Sequence, residues 1–350
     1  GMPSLMAVGY SNLHLIAGLA GLRRIASLYK RLSHEAIEKS NRTSDRIFAY
    51  LYEGVVLYAN CKLDDAVKSF ENGIQLADEL RATRQLEELT ASLASCLLLQ
   101  GKYERSYKIW KDYYERAIRK EGPQTQAWMV YGQGHSLIML GNLEEAIRLL
   151  NASLDIPMVD ASDRILDTTR NGALCLAYFR NEQFAETIEQ LERFFQIAPP
   201  TPAISSFNYE YTAALNAIFG LLENHATGKH RLSEADLRRL EPSVQRAPKI
   251  IKALNKLPAN IAGCWLYEGL LAWHKGNKSK AFAHWKKCIE TAERDGLPYE
   301  SGRAHYEIGR HLDANDPSRT GHLSQAIEIF ETLNTPYELN LARSVLQGAT

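Results

Sequence analysis

Apolar residues along this chain fall at the three-to-four spacing of amphipathic helices, and one local arrangement of them keeps returning. It is clearest over residues 141–150, Gly-Asn-Leu-Glu-Glu-Ala-Ile-Arg-Leu-Leu, with Gly134 seven residues upstream. A Gly or Asn turn is followed five residues later by a small residue, and four further on by an aromatic residue or Leu. This is the signature of two antiparallel helices joined by a short turn. The small residue falls at Ala26, Ala66, Ser106, Ala146, Ala185, Ala281 and Ala326, and the first five are spaced 40, 40, 40 and 39 apart. Self-similarity over a fixed period of this size marks a repeat array. No window alternates with period 2 between hairpin turn signals, so the sequence places no sheet.

The pattern divides the chain into regular hairpins over residues 3–200, an irregular helical insertion or degenerate repeat over 201–258, and two further hairpins with a capping helix over 259–350. In the second hairpin, Gly54 and Ala66 mark the closest approach of two helices, with Tyr50 and Phe70 filling the wider gaps. Ala94, Ser106 and Trp110 repeat this weakly, and Gly134, Ala146 and Leu150 strongly. The fifth unit, Thr168 to Ile197, keeps Ala173 and Ala185 but has no Gly at its turn, and Pro199, Pro200 and Pro202 end it. A helix is expected from about Ser206 to Asn224, then a polar loop to His230. Ser233-Glu234-Ala235-Asp236 reads as a helix start, and Pro242 and Pro248 are expected to break that helix. Regularity returns at Trp265, Gly269, Ala281 and Trp285, and again at Tyr306, Gly309, Ala326 and Phe330 around an inserted loop, Asp313–Thr320. A last helix, about Tyr337 to Gln347, is expected to cap the open end.

Composition narrows the function classes. A hydrophobic content of 45% and a charged content of 23% are those of a folded protein, which argues against disorder. Lys plus Arg (41) balances Asp plus Glu (41), which argues against nucleic acid or an acidic membrane as the main partner. The run Leu13 to Leu22 is too short to span a bilayer, and no basic region and cleavage site precede it. Five scattered cysteines inside helical patterns read as reduced core residues of a cytoplasmic protein.

At Gly54, Ala66 and Phe70, at Gly134 and Ala146, and at Trp265, Gly269, Ala281 and Trp285, the chain resembles the tetratricopeptide repeat, with twelve residues from Gly to Ala in each unit. The departure is the longer period, against about 34 residues in that repeat. A second resemblance is carried by Gly296-Leu297-Pro298-Tyr299-Glu300, by Arg303 to Leu312, and by Asp316-Pro317, His322-Leu323, Ala326 and Phe330. These look like the C-terminal helical region of large bacterial signalling proteins that carry a class III nucleotide cyclase or protein kinase domain and an AAA/STAND-type NTPase. The two resemblances imply an all-α, right-handed superhelical solenoid of seven to eight hairpins. They also imply a non-catalytic interaction or regulatory module for a protein or peptide, serving an attached or co-encoded NTPase, cyclase or kinase. The alternatives are a stand-alone scaffold, or a small-molecule sensor or helical enzyme using residues 203–258.

Candidate chemistry is sparse. Gly132-Gln133-Gly134-His135-Ser136 lacks both the dinucleotide and the Walker phosphate-loop patterns. His305 and His311 are six apart and share no helical face, and His225 and His230 have no Cys or acidic partner at ligand spacing. Asp64-Asp65 and Glu144-Glu145 sit where carboxylates favour a helix N-terminus. The sequence therefore nominates no catalytic residue, metal or cofactor. The groove positions of the tetratricopeptide family, carried over by the Gly and Ala anchors, are Phe48, Leu51, Trp128, Tyr131, His135, Arg170, Tyr178, Trp273, Arg303, Tyr306 and Arg310. Aromatic residues and Arg supply most interface hot spots, against the plainer reading that the aromatics pack between repeats. Trp128, Tyr131 and His135, at i, i+3 and i+7, share a face. The Lys/Asn set of the chaperone-tail clamp is missing.

Overall fold

The computed structural model describes residues 2–120, 122–156, 164–200, 202 and 209–348. Among these the chain is all-helical: eight consecutive helix pairs and a final single helix, with no strand. The pairs are α1 (Met2–Leu19) with α2 (Arg23–Ser40), α3 (Thr43–Ala59) with α4 (Leu63–Glu79), α5 (Thr83–Leu99) with α6 (Tyr103–Lys120), and α7 (Pro123–Met139) with α8 (Leu143–Leu154). They continue as α9 (Arg164–Arg180) with α10 (Phe184–Ile197), α11 (Tyr209–Thr227) with α12 (Glu234–Leu254), α13 (Pro258–His274) with α14 (Lys278–Asp295), and α15 (Pro298–His311) with α16 (Pro317–Leu333), before α17 (Pro336–Leu346). Helices pack on their neighbours along the chain, so the molecule is a helical-repeat solenoid.

The turn inside six of the pairs is built one way. A residue with positive φ ends the first helix, at Gly21, Cys61, Gly101, Gly141, Glu182 and Gly276. One residue later the chain re-enters a helix, and that residue's carbonyl accepts from the amide four positions on, at Ala26, Ala66, Ser106, Ala146, Thr187 and Ala281. All six of these are buried. The fifth anchor is therefore Thr187, and Ala185 is exposed. The expected position was two residues early because Glu182, a non-glycine in the left-handed conformation, hides the turn that sets the phase.

The glycines of the repeat lie under large side chains rather than under the small anchors. A Cβ on Gly54 would stand 2.4 Å from the Phe70 ring, one on Gly134 2.7 Å from Leu150, and one on Gly269 2.2 Å from Trp285. In each pair the large residue is sixteen positions along, where the second helix recrosses the first. Only hydrogen fits between that side chain and the helix backbone.

Residues 209–254 hold two corrections. α12 runs unbroken through Pro242 and Pro248, where the sequence predicts a break. Its buried face (Leu240, Ala247, Ile250, Ile251 and Leu254) packs on α10 and α13, and that burial outweighs a cost of about 3 kcal/mol for each interior proline. α11 continues to Thr227, three residues into the expected loop, and Gly228 (φ 78°) ends it. The expected start of that helix, Ser206, lies outside the described residues. α11 packs mainly on α9 and α12 on α10, so this pair stacks on its predecessor more than on itself. The Ser233–Asp236 capping box forms as the sequence predicts. The loop expected over Asp313–Thr320 is shorter, because α16 starts at Pro317.

The winding brings distant parts of the chain together. The Tyr58 and Tyr209 hydroxyls are 2.9 Å apart across 151 residues, and Tyr209 also donates to the Ser95 carbonyl at 2.9 Å. Asn334 donates to Glu104 at 3.0 Å across 230 residues. Leu333 and Pro336 lie against the turn glycines Gly101 and Gly141. The C-terminal helices thus return onto the turns of the third and fourth pairs, and the concave side is closed over part of its length.

Candidate functional site

Where the concave side remains open it forms a cavity of about 940 Å³, within the range of ligand pockets. Its wall comes chiefly from the first helices of consecutive pairs and from α17: Arg180 on α9, Phe219 and Glu223 on α11, Trp273 and His274 on α13, Arg303, Tyr306, Glu307 and Arg310 on α15, and Tyr337 and Glu338 on α17. Arg319 joins from α16. These helices face inward because their partners occupy the outer layer, so a residue at the inner position of each repeat converges on one space.

A continuous polar network runs along that wall. Arg180 pairs with Glu338, and donates to the Ile138 carbonyl at 3.0 Å and to the Tyr299 hydroxyl at 3.0 Å. Tyr299 donates in turn to Glu338 at 2.8 Å. Arg303 donates to Asn216 at 2.8 Å and to Tyr299 at 3.2 Å. Arg310 donates to Glu307 and to Glu223, each at 2.6 Å. Burial works to raise the Glu307 carboxyl, but Arg310, His311 and Arg303 together hold it below its ordinary value. Burial pushes His311 down to about 4, with Arg310 acting in the same sense, and it also lowers His274. Both imidazoles are neutral at pH 7.

Aromatic rings complete the wall. The Trp273 and His311 ring centroids are 3.8 Å apart, Phe219 stacks on His274 at 5.8 Å, and the Arg310 guanidinium lies 5.3 Å from the Tyr306 ring centre. The cavity edge carries Lys229, 3.2 Å from the exposed Glu182, and Arg319, which donates to the Val345 carbonyl at 3.1 Å. Two buried atoms of the wall, Arg180 Nε and Glu338 Oε2, have no hydrogen-bond partner among the described residues.

The eleven residues nominated by the sequence separate into groups. Trp273, Arg303, Tyr306 and Arg310 line the cavity together. Tyr131 and His135 are buried, with the His135 ring edge-on to Tyr209 at 5.1 Å and its Nδ1 3.4 Å from the Tyr131 hydroxyl. Trp128, half-buried, meets Tyr131 edge-on at 6.0 Å. Arg170 is 1% exposed and donates to the Ser153 carbonyl and to Asp167, inside the α8–α9 contact. Tyr178 accepts from Asn151 at 3.0 Å. Phe48 lies 6.2 Å from Tyr52, Leu51 is buried in the main core, and neither lines the cavity. Arg180, Glu223, Glu307 and Glu338 are not among the positions nominated from the sequence. The available signal was a charged residue set among apolar ones on a first helix, as in Leu221-Leu222-Glu223.

Among the described residues no group of three or more His, Cys, Asp or Glu could hold a metal ion, and no helix is long and apolar enough to cross a membrane. Cys96, Cys175, Cys264 and Cys288 are buried free thiols, and burial pushes Cys96 and Cys264 up to about 12. No family model matches the chain. No curated protein matches it either. Among solved structures it is similar to a circular tandem repeat protein with novel repeat topology and enhanced subunit contact surfaces, at 11% identity over 99% of this chain and 95% of that one. The TM-score is 0.27, and a likeness that weak carries no argument. The fold assignment rests on the helices and their packing.

Proposed function

We propose that the chain is a non-catalytic recognition module that receives a segment of a protein partner in the cavity bounded by α9, α11, α13, α15 and α17. The observation that carries this reading is the convergence of Trp273, Arg303, Tyr306 and Arg310, nominated through the tetratricopeptide resemblance, on one cavity with aromatic walls and a charged network. Helical-repeat solenoids generally serve protein interaction through their concave face. The tetratricopeptide-like Gly and Ala anchors support membership of that class. The motif from Gly296 to Phe330 supports a role beside a cytoplasmic signalling NTPase, cyclase or kinase.

The test compares wild type with Trp273→Ala in affinity capture from cells that express the protein, with melting temperature measured in parallel. The account expects a partner lost from the variant while the fold melts as before. An unchanged partner set in a folded variant rejects the cavity. The same reading expects no nucleotide hydrolysis by the purified chain, and turnover abolished by a single substitution would reject it.

A further inference from the structure

The exposed apolar surface of the molecule is concentrated on one helix pair. Of the eleven large hydrophobic side chains exposed among the described residues, eight belong to α1 and α2. On α1 they are Met2, Leu5, Met6, Leu13 and Ile16, which recur with Gly9 at three- and four-residue steps and so share one side of the helix. Leu5 is 77% exposed and Ile16 64%. α1 carries no Asp, Glu, Lys or Arg, and its His14 is buried. On α2, Ile25 and Leu28 lie away from the face on which Lys30 and His34 meet Glu53 of α3. Together the eight side chains present roughly 800 Å², more than the largest patch of an ordinary monomer and equal to one partner's share of a standard interface. The outer face of a terminal repeat is ordinarily polar.

Gly9 says what covers this stripe. It is exposed in the middle of α1, and a Cβ there would meet nothing within 4 Å, whereas Gly54, Gly134 and Gly269 each lie under a large side chain of their own pair. Glycine inside a helix is destabilising relative to alanine, and nothing within the chain accounts for one here. A helix crossing does, because a residue without a side chain lets a second backbone come close. The stripe is also symmetric about this point: Leu5 and Leu13 stand four residues to either side of Gly9, and Met2 and Ile16 seven. A stripe that reads alike in both directions is complementary to an antiparallel copy of itself, which is the condition of a two-fold contact. A helix lying on a membrane surface carries Lys and Arg along its polar face, and α1 has neither.

We propose that two copies of this chain pair through α1, antiparallel and crossing at Gly9. The crossing sets Leu5 of one copy against Leu13 of the other, and Met2 against Ile16, twice over. No residue of the first pair lines the cavity between α9 and α17, so the inference is independent of that reading, and a dimer carries two such cavities.

The experiment is sedimentation equilibrium of the purified chain from about 1 to 100 μM, with circular dichroism on every sample. Wild type is expected to reach twice the chain mass within that range. Leu5→Lys and Leu13→Glu each place a charge against leucine at both symmetric contacts, and each should raise the dissociation constant at least about tenfold. Both positions are exposed in the single chain, so both variants should keep the helical spectrum. The two variants mixed are expected to form a dimer at concentrations where neither does alone, since the mixed pair has one Lys–Glu contact and one Leu–Leu contact. That recovery also shows that both variants are folded. A wild type that stays monomeric to about 100 μM overturns the proposal. So does dimerisation unchanged by Leu13→Glu, and so does a mixture that associates no better than its components.

Discussion

Arg180 near the end of α9 and Glu338 near the start of α17 form an ion pair across 158 residues, and neither is more than 3% exposed. The contact ties the last helix to the middle of the array, and it sits on the cavity wall. Removing one partner leaves a buried charge alone, whereas removing both leaves none. Glu338→Ala should therefore cost about 3–5 kcal/mol, and an Arg180→Met, Glu338→Leu pair much less. Urea unfolding of the three proteins decides it. Equal losses in single and double variants would mean that the pair is not buried as described.

The helix contact of the fourth pair makes a simpler demand. Ala146 is fully buried, and Leu150 from the same helix already covers Gly134. Ala146→Leu should overpack this contact and cost about 1–3 kcal/mol by chemical denaturation. Wild-type stability in the variant would contradict the repeat packing.

Glu182 offers a change in the opposite direction. It holds φ 55° where equivalent turns use Gly101, Gly141 and Gly276, and its side chain makes one solvent-exposed pair with Lys229. Glu182→Gly relieves backbone strain, loses little from the exposed pair, and adds freedom to the unfolded chain. The net expectation is a gain of about 0.5–1 kcal/mol, read as a rise in melting temperature. A fall would show that the Glu182 side chain contributes more than its exposure allows.

Buried titratable groups give stability a pH dependence with opposite signs on the two flanks. Burial lowers His135 to about 3, so the unfolded state binds the extra proton first as pH falls. Its neutral form is accommodated in full above about pH 6.5, and that stability is lost progressively as pH drops toward 3. Burial raises Glu210 to about 8, so the folded state keeps a proton that the unfolded state has released. Its contribution is present below the ordinary carboxyl range and declines as pH rises to about 8. His135→Phe should flatten the acid limb of a melting-temperature profile, and Glu210→Gln the limb between about pH 5 and 8. An unchanged slope in either variant would place that group in contact with solvent.

The repeat itself was legible because its steric rule is local. Gly54, Gly134 and Gly269 must be glycine to admit Phe70, Leu150 and Trp285, and that need leaves a fixed spacing in the chain. The fifth anchor was misplaced where Glu182 replaces the turn glycine, since nothing in an isolated Glu announces a left-handed conformation. The shared cavity position of Trp273, Arg303, Tyr306 and Arg310 was legible for the same reason as the repeat, since they occupy equivalent positions of two adjacent, regular units. The closure was not legible. It depends on small rotations accumulated over many pairs, and the contacts it makes, Tyr58 with Tyr209 and Asn334 with Glu104, join residues with no spacing relation. For that reason the sequence did not show that Tyr131 and His135 are buried, with the His135 ring edge-on to Tyr209 of the same chain.

The central claim is that the cavity receives the partner. Photo-crosslinking with a benzophenone amino acid placed singly at Trp273, Trp128 and Phe48 tests it most directly. Crosslinking would be carried out in cells that express the protein, and the captured segment mapped by mass spectrometry. A crosslink from position 273 to one defined segment is expected, and none to that segment from position 48. Capture of the segment from position 48 or 128, with position 273 silent in a folded protein, would contradict it.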